Sequence, residues 1–147
     1  MEKTRQYSIV RKAFMRSGMV FVAAVIGLST PLCAQEEIKV PSGQRITFIE
    51  TVSDAPGPDG LTYRFRFLAP DIARADGTVT DEMAFADMAA LCATYALPHL
   101  SNLGPRPSQI IISLVDRPVP FGAPDPDATQ FFEAFHPEDG ACIWDGF

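Results

Sequence analysis

A chain of 147 residues with 12 basic and 18 acidic side chains, net charge −6, has the length of one domain and the wrong sign for binding nucleic acid or an anionic membrane by bulk electrostatics. Five of the 12 basic side chains but only one of the 18 acidic ones fall in the first 34 residues, so the remainder is more acidic still. Three cysteines are too few for a disulfide-rich scaffold.

Residues 1–34 read as a cleavable export signal. Lys3, Arg5, Arg11, Lys12 and Arg16 precede an apolar run at 18–28, and the segment ends on Cys33-Ala34. That run is shorter than the roughly 18 to 20 residues of a membrane span, and Ser29, Thr30 and Pro31 interrupt it, which weighs against a retained anchor. Leu32 weighs against lipid attachment at Cys33, and it also makes cleavage between Ala34 and Gln35 an imperfect match to the usual pattern. The expected setting is periplasmic or secreted, with no membrane segment after cleavage. Only Cys92 and Cys142 then remain. In an oxidising compartment they read as a structural disulfide rather than a reactive pair, because no Cys-x-x-Cys motif is present.

Residues 35–43 form an extended polar lead, and one small domain is expected over 44–147. Residues 45–53 alternate as a strand, with Ile46, Phe48 and Val52 on one face and Thr47, Ile49 and Thr51 on the other. A Pro- and Gly-rich turn at 54–60 leads to a second strand at 61–68, where Leu61, Tyr63, Phe65 and Phe67 oppose Thr62, Arg64 and Arg66. One face of this hairpin is expected to be core and the other wet. Thr80 caps a helix over 81–97 whose first turn holds Asp81 and Glu82. Phe85, Met88, Leu91, Cys92 and Tyr95 share its apolar face, and Pro98 is expected to stop it. Cys92 points inward and meets Cys142 only if the last strand passes beneath the helix.

The run Ile110-Ile111-Ile112-Ser113-Leu114-Val115 predicts a central strand. Residues 116–127 are the longest loop. Residues 128–136 are ambiguous: Asp125-Pro126 suits the start of a short helix, while Phe131, Phe132 and Phe135 favour a strand. Glu138-Asp139-Gly140 before residues 141–144 tips the preference toward a hairpin. The order strand-strand-helix-strand-strand-strand predicts an α+β domain, an antiparallel sheet with one helix packed on one face and a Cys92–Cys142 disulfide tying the two layers.

Three stretches carry a resemblance: residues 87–98, residues 112–118 with Phe121-Gly122, and residues 128–135 with Cys142-Ile143-Trp144. They are similar to a family of small exported bacterial proteins of unknown function, over about Ile46 to Phe147. The resemblance implies a Gram-negative periplasmic setting and carries no activity, cofactor or site residue.

No catalytic constellation stands out. His99 follows the helix end, where an imidazole meets the last carbonyls. His136, near Glu133, Glu138 and Asp139, is the one acid/base or metal candidate, with His136 and Glu133 the pair a small periplasmic enzyme would use. Asp116, Asp125 and Asp127 lack the spacing of a calcium loop and read as turn formers. No cofactor or metal is expected. On the surface, Arg64 and Arg66, with Arg45 nearby, form a basic stripe fit for a carboxylate or an anionic partner segment; the plainer reading is a cross-strand ion pair with Glu50. Phe131 and Phe132 are adjacent and cannot both be covered on a one-sided strand, which hints at self-association or an envelope protein partner. The favoured expectation is an accessory or interaction module using Arg64, Arg66, Phe131 and Phe132; a small enzyme or a small-ligand or metal carrier is the alternative.

Overall fold

A computed structural model describes residues 38–53, 55, 57, 58 and 60–146. The export-signal reading of residues 1–34, with Cys33, and the start of the lead lie outside the described residues. Five strands form one sheet in the order β1 (Thr47–Val52), β2 (Thr62–Leu68), β3 (Gln109–Val115), β4 (Gln130–Glu138) and β5 (Ala141–Trp144). The helix α1 (Asp81–Leu91) crosses one face, so the class is α+β. Residues 130–138 are strand, paired with β5 through a tight turn at Asp139 and Gly140, whose φ values of 48° and 81° are those a two-residue hairpin turn requires.

The all-antiparallel sheet in the expected arrangement is corrected. β1–β2, β3–β4 and β4–β5 are antiparallel, but β2 and β3 pair in parallel, Tyr63 beside Ile110 and Phe67 beside Leu114. A parallel pair needs a long crossover, and the segment carrying α1 supplies it. β3 is buried along its whole length, as a strand between two neighbours with cover on both faces must be.

Register sorts the side chains into two faces. Tyr63, Phe65, Phe67, Ile110, Ile112, Leu114 and Phe135 point at the helix and meet Ala84, Met88, Leu91 and Ala96 in the core. Each large side chain so buried contributes about 1.5–3 kcal/mol. On β1 the expected alternation slips. Phe48 pairs with Phe67 but Glu50 with Arg66, so Ile49 is an extra residue, and beyond this bulge Val52 shares the opposite face with Arg64.

Thr80 Oγ1 accepts the Met83 N–H at 3.3 Å and starts α1 as read from the sequence. The helix does not stop at Pro98. From Cys92 to Ala96 the turn widens into a π-helix, in which the Leu97 N–H donates to the Cys92 carbonyl five residues back. The widened turn resets the ladder, so that Pro98 falls in the first turn of a last segment, Leu97–His99, where a missing N–H costs nothing. Cys92 lies where the helix widens and is bonded to Cys142 on β5, with Cα atoms 6.1 Å apart. The last strand does pass beneath the helix. Trp144 follows the same face and meets Phe85 edge to face at 5.2 Å.

Candidate functional site

The face opposite α1 carries Arg64 and Arg66 from β2, Ser113 from β3 and Phe132 from β4, brought side by side by the parallel β2–β3 register and the Ser113–Phe132 pairing. Residues 116–128 fold over part of it. The loop is held at its base by Val115, Val119 and Ala128, which form a small cluster of their own, and by the Asp116 N–H bonded to the Thr129 carbonyl at 3.0 Å. Between loop and sheet lies a groove of about 430 Å³ lined by Arg64, Arg66, Ser113, Phe121, Gln130 and Phe132, with loop residues 120 and 122–124 closing the side.

The two arginines divide the work. Arg66 is 3% exposed; its guanidinium pairs with the Glu50 carboxylate and donates to the Val119 carbonyl at 2.6 Å, so the cross-strand pair is present and the same side chain fastens the loop. The expectation of a wet outer face on β2 is corrected here, since the loop covers Arg66. Arg64 is half-buried and has no hydrogen bond or ion pair among the described residues. Burial, then the neighbouring Arg66 charge, pushes its pKa down from the ordinary arginine value. Its guanidinium stands over the Phe121 ring, 5.0 Å from the centroid, with Arg66 5.7 Å from the same ring. Phe121 is 44% and Phe132 59% exposed.

Phe131 does not join them. It faces the other way, opposite Leu114, and packs against the core. Adjacent strand residues alternate, so the Phe131–Phe132 pair is split between helix side and groove side. Arg45 is exposed and lies outside the groove lining.

His136 and Glu133 are three residues apart on β4 and therefore occupy opposite faces: Glu133 pairs with Ile112 on the helix side, His136 with Ile143 on the other. The Glu133 carboxylate accepts the Trp144 indole N–H at 2.7 Å. They do not form one acid/base unit. His136 instead meets Asp145 through Nδ1 at 2.5 Å, and Asp145 also accepts from the Gln109 amide at 3.3 Å. The bond to Asp145 is the main cause of a His136 pKa above the ordinary value, with Glu138 adding to it. Because the folded-state pKa is raised, this tie is fully present below the unfolded histidine value of about 6.5 and is lost as pH rises through the folded-state pKa. An NMR titration of the His136 ring is expected to show a midpoint above that of an unstructured peptide, returned to it by Asp145→Asn; a midpoint unchanged by the substitution would remove Asp145 as the cause.

His99 Nδ1 lies 2.6 Å from the Tyr95 carbonyl and its ring stacks on Tyr95, the helix-end role read from the sequence. The Asp125 carboxylate accepts the Asp127 N–H at 3.0 Å in a local turn. Among the described residues no group of three metal-ligating side chains occurs. Two features escaped the sequence. Phe121 enters the sequence reading only within the stretches that carry the resemblance, although its place in a Pro- and Gly-rich loop after a central strand marks a segment that can fold back over the sheet. Ser113 drew no attention in an apolar run, and its polarity there was the available signal.

Residues 23–147 match a family of unknown function, DUF6497, and the match carries no statement of compartment or source. No curated protein and no solved structure matches the chain.

Proposed function

We propose that this chain, which belongs to the DUF6497 family of unknown function, is an exported accessory module that docks an envelope protein, or a second copy of itself, on the sheet face opposite the helix, without catalysing a reaction. One observation carries the reading: two large aromatic side chains, Phe121 and Phe132, stay exposed where they line a groove that also contains the buried Arg66 and Ser113 and the half-buried Arg64. Aromatic residues flanking a concave polar floor are the usual anchors of a binding surface. Export is supported by the signal-like character of residues 1–34 and by a disulfide of the kind that persists in oxidising compartments. No helix among the described residues is long and apolar enough to cross a membrane. The placement of Glu133 and His136 on opposite faces of β4 supports a non-catalytic reading over an enzyme built on that pair.

The test is mild crosslinking in intact cells followed by affinity capture of the tagged protein, beside Phe132→Asp. The expected result is a specific partner, or a homodimer, whose recovery falls at least about tenfold in the variant, the scale of losing one aromatic anchor. A partner recovered equally well by Phe132→Asp, or a protein that stays monomeric and captures nothing, contradicts the docking face.

A further inference from the structure

The groove contains a cation with no counter-charge among the described residues. Arg64 is half-buried, receives no carboxylate or carbonyl among the described residues, and sits beside a second guanidinium whose donors already serve Glu50 and the Val119 carbonyl. A buried or half-buried charge is normally paired, and this one lies in a strongly acidic chain where carboxylates are plentiful. A second polar group opens on the same space. Ser113 is 7% exposed, lines the groove, and its hydroxyl makes no hydrogen bond among the described residues, while Gln130 brings an amide to the rim.

We infer that Arg64 is the anchor of a carboxylate-binding site: its guanidinium takes a carboxylate group in its own plane, Ser113 donates a hydroxyl, and Phe121 and Phe132 hold the apolar body that carries the carboxylate. The inference rests on the docking reading for its location and names the chemistry of what docks. The planar guanidinium decides the class. Arg64 lines the groove with its guanidinium over the Phe121 ring and no hydrogen-bond acceptor among the described residues, and the parallel pair of N–H bonds a guanidinium can offer fits the two oxygens of a carboxylate. A tetrahedral dianion would need a second free cation to balance it, and Arg66 is already engaged. The volume of about 430 Å³ is ample for a small ring or one or two side chains. The lowered Arg64 pKa agrees with a guanidinium waiting for a counter-charge.

The carboxylate comes either from a free small acid or from a polypeptide's acidic side chain or C-terminus, and the experiment separates them. The purified, isotope-labelled protein is titrated with benzoate, benzamide, inorganic phosphate, and a short peptide ending in phenylalanine with a free or an amidated C-terminus. Expected are saturable shifts of the Arg64 Nε–H and Phe121 ring signals with benzoate or the free-acid peptide, none with benzamide or the amidated peptide, and affinity at least about tenfold weaker in both Arg64→Gln and Arg64→Lys. Tighter binding of the peptide than of benzoate assigns the site to a polypeptide; the reverse assigns it to a small acid. Binding that survives Arg64→Gln, that is matched by benzamide, or that is tighter for phosphate overturns the inference. A captured partner lost with Phe132→Asp but kept with Arg64→Gln leaves docking intact and removes the carboxylate anchor. Arg64-dependent benzoate binding with nothing captured leaves the anchor intact and removes docking.

Discussion

Replacing both bridged cysteines, Cys92→Ala with Cys142→Ala, is expected to lower the unfolding free energy by about 4 kcal/mol, the chain-entropy cost of freeing a loop of this size. The bridge spans 50 residues of sequence and joins the centre of the helix to the edge strand β5. Little else holds that strand. It has four residues, pairs on one side only, and keeps Trp144 half in solvent while its ring meets Phe85 and its indole N–H meets Glu133. For a domain of this size the loss corresponds to a fall in Tm of roughly 20 °C. Urea unfolding of the oxidised protein and of the double variant measures the difference directly. A change under about 1 kcal/mol would show that β5 is held by its strand pairing alone and that the bridge is incidental to stability.

Asp87→Ala is expected to rank next, at about 3 kcal/mol. Asp87 is fully buried on the helix and accepts three hydrogen bonds: from the Ser42 N–H at 2.8 Å, the Ser42 hydroxyl at 2.5 Å and the Gln44 amide at 2.6 Å. One carboxylate thereby fastens the segment ahead of β1 to the helix layer, and Ile46 enters the core beside it. Alanine removes both acceptor oxygens and strands the three donors, one of them on Gln44, whose own Oε1 already lacks a partner among the described residues. Beyond the drop in stability, amide exchange at Ser42 and Gln44 should speed up far more than exchange in β3. Equal protection in both proteins would mean that the lead is held by something other than Asp87.

The residues show why some of this was legible and some was not. The core face of β2 was readable because Tyr63, Phe65 and Phe67 alternate strictly with polar residues, and the helix because Thr80 and its apolar face agree on a start and an orientation. The continuous run in β3 correctly marked a central strand. The same run also signalled a parallel neighbour, since strands buried on both faces are typical of parallel pairs, and the intervening helix was the crossover such a pair needs. The bulge at Ile49 left no trace in an apolar-polar pattern that fits either register of β1. Pro98 misled because one residue type both ends helices and opens them, and only the π-turn at Cys92–Ala96 decides which. At the groove, sequence supplied Arg64, Arg66 and Phe132 but also Phe131, which strand alternation sends to the core. It gave no means of telling the tied arginine from the available one. That distinction comes from the fold of residues 116–128, a loop with no periodicity to read.

The surface claimed as the working one is the groove beside Arg64, and a photo-crosslinking side chain tests it most directly. Benzoylphenylalanine placed at position 132, on the groove rim, is compared with the same group at position 83, where Met83 is 37% exposed on the helix. The account predicts a discrete covalent adduct in intact cells from position 132, absent from position 83 and lost when Arg64→Gln is added. Adducts from position 83 alone, or equal adducts from both, would contradict it and move the working surface to the helix side of the domain.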